Sequence, residues 1–243
     1  RAVYLPWLEA SSVVFQKAVA ASGGLNPGGV SKVSDPGGTC VVFVDGLRFD
    51  VAQMLASRLG ALGQVTLNSG WTSLPSVTAS GKAWVSPVAS LIAGKADDAD
   101  FEPNVAATMK PLNTYNFRKL LADAGYEPLS GSATGDPTGK AWVECGDLDH
   151  FGHEHGLRLA RDIDGQLAEI VERMQALADA GWRRFRIVTD HGWKISLDRG
   201  LDIFQHYEMN DAFAFTNRLQ QYRPCKAFEI TYIRQEENGV DPG

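Results

Sequence analysis

The chain has 243 residues, 44% of them hydrophobic and 21% charged, with a formal net charge of −6; this is the profile of one large globular domain with a sizeable core. The acidic balance excludes a chain-wide phosphate-tracking surface of the kind that drives non-specific nucleic-acid binding, although bound divalent ions reverse the sign locally. The three cysteines, Cys40, Cys145 and Cys225, are odd in number and form no CxxC, which excludes a disulfide framework or zinc knot and points to a reducing, cytoplasmic compartment.

The chain opens on Arg1 rather than Met, so a piece of a longer protein is expected. Residues 1–8 lack the basic stretch and apolar run of a signal peptide, and no run approaches the ~18 apolar residues of a membrane span. A short helix is expected over 8–21. Residues 22–39 are rich in Gly, Ser and Pro and read as a flexible loop. The body then alternates. Residues 40–44 (CVVFV) form a short apolar run typical of a buried strand. Val51, Leu55 and Leu59 repeat at helical spacing over 49–59, with Asp50 near the start. A second strand is expected over 64–67 and a helix over 78–91. Phe117, Leu120 and Leu121 share one face over 114–124, which stops at Gly125. Residues 140–144 are a strand candidate. The clearest helix runs over 157–180, where Ala160, Ile163, Leu167, Ile170, Met174 and Leu177 follow three-four spacing. Residues 184–189 (RFRIVT) form a strand leading directly into Asp190. Alternating strands and helices predict a mainly parallel sheet with helices on both faces, an α/β fold.

In such sheets ligands collect at the carboxyl ends of the strands. Three strand ends here are polar and competent to bind metal: Asp45-Gly46, the segment from Asp147 to His155, and Asp190-His191-Gly192. Four of the chain's five histidines lie in the last two segments. Carboxylate oxygens together with imidazole nitrogens suit zinc or a similar divalent ion. Asp149 and His153, spaced as DxxGH, and the pair Asp190 and His191 are the candidate ligands beside Asp45. Each has a plainer reading, since Asp-Gly is a common turn pair and a strand end is ordinarily polar. His150 and His155 read as supporting or surface groups. A nucleophile is offered by Thr78, placed where a helix begins after Pro75-Ser76-Val77. A hydroxyl there lies beside free backbone N–H groups, which suit a phosphoryl oxygen. Helix capping is the alternative role for Thr78, and Ser76 and Ser80 compete with it. Lys82, four positions on, would share the helical face and reach a phosphate oxygen, or would simply be solvated. The basic-aromatic run Trp182 to Arg186 reads as a helix-strand junction with solvated arginines, not as a nucleic-acid surface.

These motifs, VVFVDGLRFD (41–50), LPSVTASGK (74–82), DHFGH (149–153) and VTDHGW (188–193), occur in the order found in the alkaline phosphatase superfamily, and DGLRFD with the PSVT turn resembles its PglZ domain. The resemblance spans residues 40–195. It implies one alkaline-phosphatase-like domain over 1–243, with two divalent ions, Zn2+ or alternatively Mn2+, and a covalent phosphothreonine mechanism. It places Asp45, Thr78, Asp190 and His191 on one ion, and Asp149 and His153 on the other. It also calls for a downstream histidine on the second ion; only His206 is available, and its Phe-Gln-His-Tyr-Glu context does not match. The implied activity is phosphodiesterase or phosphatase, on a monoester, an oligonucleotide or DNA. PglZ proteins are linked to bacterial phage defence of the BREX type, which implies other BREX proteins as partners; no membrane is expected as a partner, in keeping with the lack of a long apolar run. Two alternatives stay open: a catalytically silent PglZ scaffold acting through protein partners, and another hydrolase or phosphomutase of the superfamily.

Overall fold

The structure is a computed structural model describing residues 4–21, 35–61, 63–71, 78–94, 102–155, 158–192 and 226–234. Helix α1 (Tyr4–Ala21) comes first, starting four residues before the expected segment. Of the loop expected over 22–39, residues 22–34 lie outside the described residues. Its last part is pinned: Asp35 is buried, and its Oδ2 accepts from the Tyr126 hydroxyl at 2.7 Å and Arg186 Nη2 at 2.8 Å.

Strand β1 (Thr39–Phe43) is buried along its whole length, because both its neighbours and both its faces are covered. It pairs in parallel with β6 (Lys140–Glu144) on one side and β7 (Arg184–Thr189) on the other. The short β5 (Glu127–Pro128) adds in parallel to β6. Beyond β7 lie β8 (Lys226–Arg234) and β2 (Gly63–Trp71), giving the order β2-β8-β7-β1-β6-β5. The sheet is mainly parallel as expected. Only β8 runs against its neighbours; with the sequence Lys-Ala-Phe-Glu-Ile-Thr-Tyr-Ile-Arg, it is an element beyond those expected above.

Alternate residues of β1 feed two cores, the period-two consequence of a strand buried on both sides. On one face Cys40, Val42 and Val44 pack with Leu55 and Leu59 of α2 (Phe49–Gly60) and with Leu167, Ile170, Met174 and Leu177 of α6 (Leu159–Asp179). On the other, Val41 and Phe43 pack with Val85 of α3 (Thr78–Val85) and with Phe117 and Leu121 of α4 (Thr114–Asp123). Trp142 stacks on Phe43 with ring centroids 5.7 Å apart and meets Phe117 edge-on at 5.6 Å. Each of these fully buried apolar side chains stabilises the fold by roughly 1.5–3 kcal/mol relative to exposure. The architecture is compatible with an alkaline-phosphatase-like α/β fold.

Two local expectations need correction. The helix predicted over 78–91 stops at Val85, because Pro87 has no N–H to donate and disfavours helical backbone at Ser86; a 3-10 turn over Ala89–Leu91 follows, leading into the hairpin β3 (Ile92–Ala93) and β4 (Asn104–Val105). After β6 comes helix α5 (Leu148–His155), an element beyond those expected from the sequence. Arg186 is not solvated: it sits in β7 only 6% exposed and pairs with Asp35. Its neighbour Trp182 is fully buried, donating from Nε1 to the Thr134 carbonyl at 2.7 Å. Among the described residues no helix is long and apolar enough to cross a membrane.

Candidate metal centre

The site stands at the carboxyl ends of β1, β7 and β6. Val44 N still donates to the Val188 carbonyl at 3.0 Å, so β1 and β7 stay in step to the last residue before each turns. Asp45 and Asp190 therefore emerge side by side. The Thr189 hydroxyl ties the two turns together: it accepts from Leu47 N at 3.2 Å and donates to the His191 carbonyl at 3.0 Å. His191 N donates to Asp190 Oδ1 at 2.9 Å, fixing that carboxylate.

Two glycines let the flanking helices close in. Gly46 has φ +69°, and a Cβ there would lie 2.8 Å from the Asp149 Cβ; a side chain would push Asp149 of α5 away from Asp45. A Cβ on Gly81 would lie 2.6 Å from the Asp190 Cβ, so α3 rests directly on Asp190 and carries Thr78, three residues earlier, to the same point.

His191 Nε2 is the centre of the resulting set. It lies 3.1 Å from Thr78 Oγ1, 3.4 Å from Asp45 Oδ1 and 3.5 Å from Asp190 Oδ2. Both of these carboxylate oxygens are buried and receive no hydrogen bond from the described residues. Asp149 joins the group: one donor atom from each of Asp45, Asp149 and His191 lies within 4.8 Å of the others. His153, one turn along α5 from Asp149, is 75% exposed at the lip, with Nε2 3.3 Å from Asp149 Oδ2.

Burial raises the Asp190 carboxyl well above the ordinary carboxylate range, and the Asp45 charge adds to it. Asp45 is raised too, by burial first and partly by Asp149, against the opposing pull of His191. Carboxylates desolvated together in this way hold their charge only if a cation compensates it.

Two clefts meet here. One, of about 280 Å³, is lined by Asp45, Asp149, His150 and His153. The other, of about 410 Å³, opens beside Thr78. Lys82 and Glu144 line both. Lys82 Nζ is 2.6 Å from Glu144 Oε2 and lies over the rings of Phe43 and Phe117, at 5.3 and 5.6 Å. The other Glu144 oxygen accepts from Trp142 Nε1 at 3.3 Å.

Of the residues singled out in the sequence, Asp45, Thr78, Asp149, Asp190 and His191 come together, Lys82 stands one helical turn from Thr78 in an ion pair, and His153 lies at the rim. His206, Ser76 and the Pro75 turn lie outside the described residues. Sequence reasoning missed Glu144, the last residue of a strand whose carboxyl end faces the site, and the roles of Gly46, Gly81 and Thr189. The strand-end rule could have found Glu144; the others depend on contacts between distant segments.

Residues 163–234 match the family described as the phospholipase D-like domain at the C-terminus of MIT. The match runs from within α6 to the end of β8, so it includes Asp190 and His191 but not Asp45, Thr78 or Asp149. No curated protein matches the chain.

Proposed function

We propose that this protein is a metal-dependent phosphoester hydrolase in which Thr78 is the nucleophile. The observation that carries the reading is the donor set around His191 Nε2. A tetrahedral zinc-like ion with bonds of about 2.0–2.1 Å holds its donors roughly 3.3 Å apart. The three contacts of His191 Nε2, at 3.1, 3.4 and 3.5 Å, have that spacing, and two of the oxygens are buried without hydrogen bonds. Hard oxygens with one imidazole suit zinc or manganese.

Asp45, Thr78, Asp190 and His191 would hold the first ion. Asp149 and His153, with His206 as the further ligand that the PglZ resemblance asks for, would hold the second. Ions held at these positions would supply charge neutralisation at the threonine oxygen and at the leaving oxygen. The chain's own residues do the rest. Gly81 seats α3 so that Thr78 Oγ1 faces the Asp45–Asp190 pair, and the first turn of α3 offers N–H dipoles to a phosphoryl oxygen. Thr189 and the His191 N–H keep Asp190 from rotating away. The bond that forms is Thr78 Oγ1 to phosphorus and the bond that breaks is phosphorus to the leaving oxygen, with the Thr78 hydroxyl proton balanced by the one that the departing alcohol takes up; water then adds to phosphorus, breaks the Thr78 Oγ1–P bond and returns a proton to Thr78.

The phospholipase D-like match over 163–234 supports phosphodiester chemistry as the class. The PglZ resemblance extends the reading to zinc and to phage-defence partners of the BREX type. The test is metal content and turnover. Purified protein should carry about two zinc ions per chain and cleave bis-p-nitrophenyl phosphate, and Thr78→Ala should abolish turnover while keeping the fold. Unchanged turnover in Thr78→Ala, or activity that survives complete chelation, would rule this mechanism out.

A further inference from the structure

We infer that Glu144 is a specificity-determining residue: paired with Lys82, it biases the site toward a phosphoryl group with one negative charge, as in a phosphodiester, and against the two of a monoester. This inference rests on the hydrolase reading above.

The pair stands beside the reacting centre whichever face of phosphorus the leaving group departs from. Glu144 is the register partner of Phe43 in the parallel pairing of β6 with β1, one strand across and two residues short of Asp45. A strand spacing of about 4.8 Å and a rise of about 3.3 Å per residue put the Cα atoms of Glu144 and Asp45 on the order of 8 Å apart. Lys82 follows Thr78 by one turn of α3, a rise of about 6 Å. Both side chains line the cleft of Asp45 and Asp149, and both line the cleft of Thr78. A phosphoryl group held at Thr78 Oγ1 and the Asp45–Asp190 pair therefore has both charges at its side, and the line of attack does not alter that.

Neither charge is loosely held. Lys82 Nζ lies 2.6 Å from Glu144 Oε2 and over the rings of Phe43 and Phe117, at 5.3 and 5.6 Å. Trp142, which stacks on Phe43 and meets Phe117 edge-on, donates from Nε1 to Glu144 Oε1 at 3.3 Å. One aromatic unit thus fixes the ammonium and the carboxylate together. The ammonium alone would attract a dianionic phosphate more strongly than a monoanionic one, because the Coulomb energy scales with the charge of the ligand. Glu144 opposes that gain with a charge of the other sign at nearly the same point. The monoester dianion loses more by this than the diester monoanion. Glu144 is half-exposed, so its effect on the extra charge is that of about 8 Å at an effective dielectric of about 40, roughly fivefold in kcat/KM.

Methyl p-nitrophenyl phosphate and p-nitrophenyl phosphate test this. They release the same phenolate, differ little in size, and at pH 8 carry one and two negative charges, since the second phosphate ionisation lies near ~6. In zinc-loaded protein at low ionic strength, where screening is weakest, Glu144→Gln should shift the ratio of kcat/KM values roughly fivefold toward the monoester. Lys82→Met should shift it toward the diester. Glu144→Asp keeps the charge but shortens the reach to Lys82, so its ratio should stay close to the parent's; if Glu144 merely braced Lys82, the Asp and Gln variants would behave alike. Thermal melts confirm that each variant is folded. The inference is overturned, and the hydrolase reading left standing, by a Glu144→Gln ratio that moves less than about twofold or toward the diester, by a Glu144→Asp ratio that moves as far, or by a Lys82→Met ratio that does not move toward the diester. Turnover of neither ester by the parent protein removes the hydrolase reading, and the inference falls with it.

Discussion

Replacing Gly81 by alanine sets helix propensity against packing. Inside a helix, Gly→Ala ordinarily stabilises by about 1 kcal/mol. At Gly81 the new Cβ would lie 2.6 Å from the Asp190 Cβ, about 1 Å inside the ~3.5 Å at which carbon atoms touch. Asp190 is fully buried and fixed by the His191 N–H at 2.9 Å, so the displacement falls mainly on α3. Overpacking of this kind costs about 1–3 kcal/mol, which outweighs the propensity gain and leaves a net loss of up to about 2 kcal/mol. With about 2–4 °C of melting temperature per kcal/mol for a domain of this size, the expected shift is downward by several degrees. The larger effect is on turnover. A 1 Å shift of α3 moves Thr78 Oγ1 off its 3.1 Å contact with His191, and a misplacement of that size costs on the order of 10²-fold in rate. Gly165→Ala is the control. Gly165 lies within α6 with nothing within 4 Å of an added Cβ, so it should gain about 0.5–1 kcal/mol with unchanged activity. Thermal melts and bis-p-nitrophenyl phosphate turnover read both variants. A Gly81→Ala protein that melts higher and turns over normally would refute the argument that α3 is seated on Asp190.

Three further outcomes follow from the same geometry. Asp190 has a carboxyl raised in the fold above its unfolded value, so between those two values the folded state binds more protons and stability falls as pH rises; Asp190→Asn should flatten that fall in metal-free protein, raise its melting temperature near pH 7, and lose zinc affinity, and a metal-free variant less stable than the parent would contradict it. Arg186→Met leaves the Asp35 carboxylate buried without its cation, a loss of about 3–5 kcal/mol in chemical denaturation; a loss under about 1 kcal/mol would mean that the Tyr126 hydroxyl alone suffices. Burial pushes the thiol of Cys40 up to about 12 and that of Cys145 up to about 11, so both remain thiols at pH 8, and peptide mapping should show alkylation of each slowed roughly a hundredfold or more relative to denatured protein.

Hydrophobic periodicity alone located the strand at β1, the helices α2, α4 and α6, and the strands β6 and β7, because each buries a repeating apolar face that local spacing reveals. The polar residues that interrupt those runs, Asp45, Asp149, Asp190 and His191, were legible for the same reason: a carboxylate directly after a buried strand stands out. Other features were settled only by segments distant in sequence meeting. The reversed strand β8 is specified by its two neighbours, and its own composition does not announce a direction. Arg186 reads locally as one of three solvated arginines and becomes a core residue because Asp35, 151 positions away, reaches it. The five clustered ligand candidates could be named from the sequence, but not how close they stand: that required Gly46 and Gly81 to admit α5 and α3 against β1 and β7. The pairing of Lys82 with Glu144, at the end of β6, likewise depends on α3 and β6 meeting across the site. Local patterning sets which residues are buried and which elements form; the distances on which chemistry depends are set by how closely separate elements can approach.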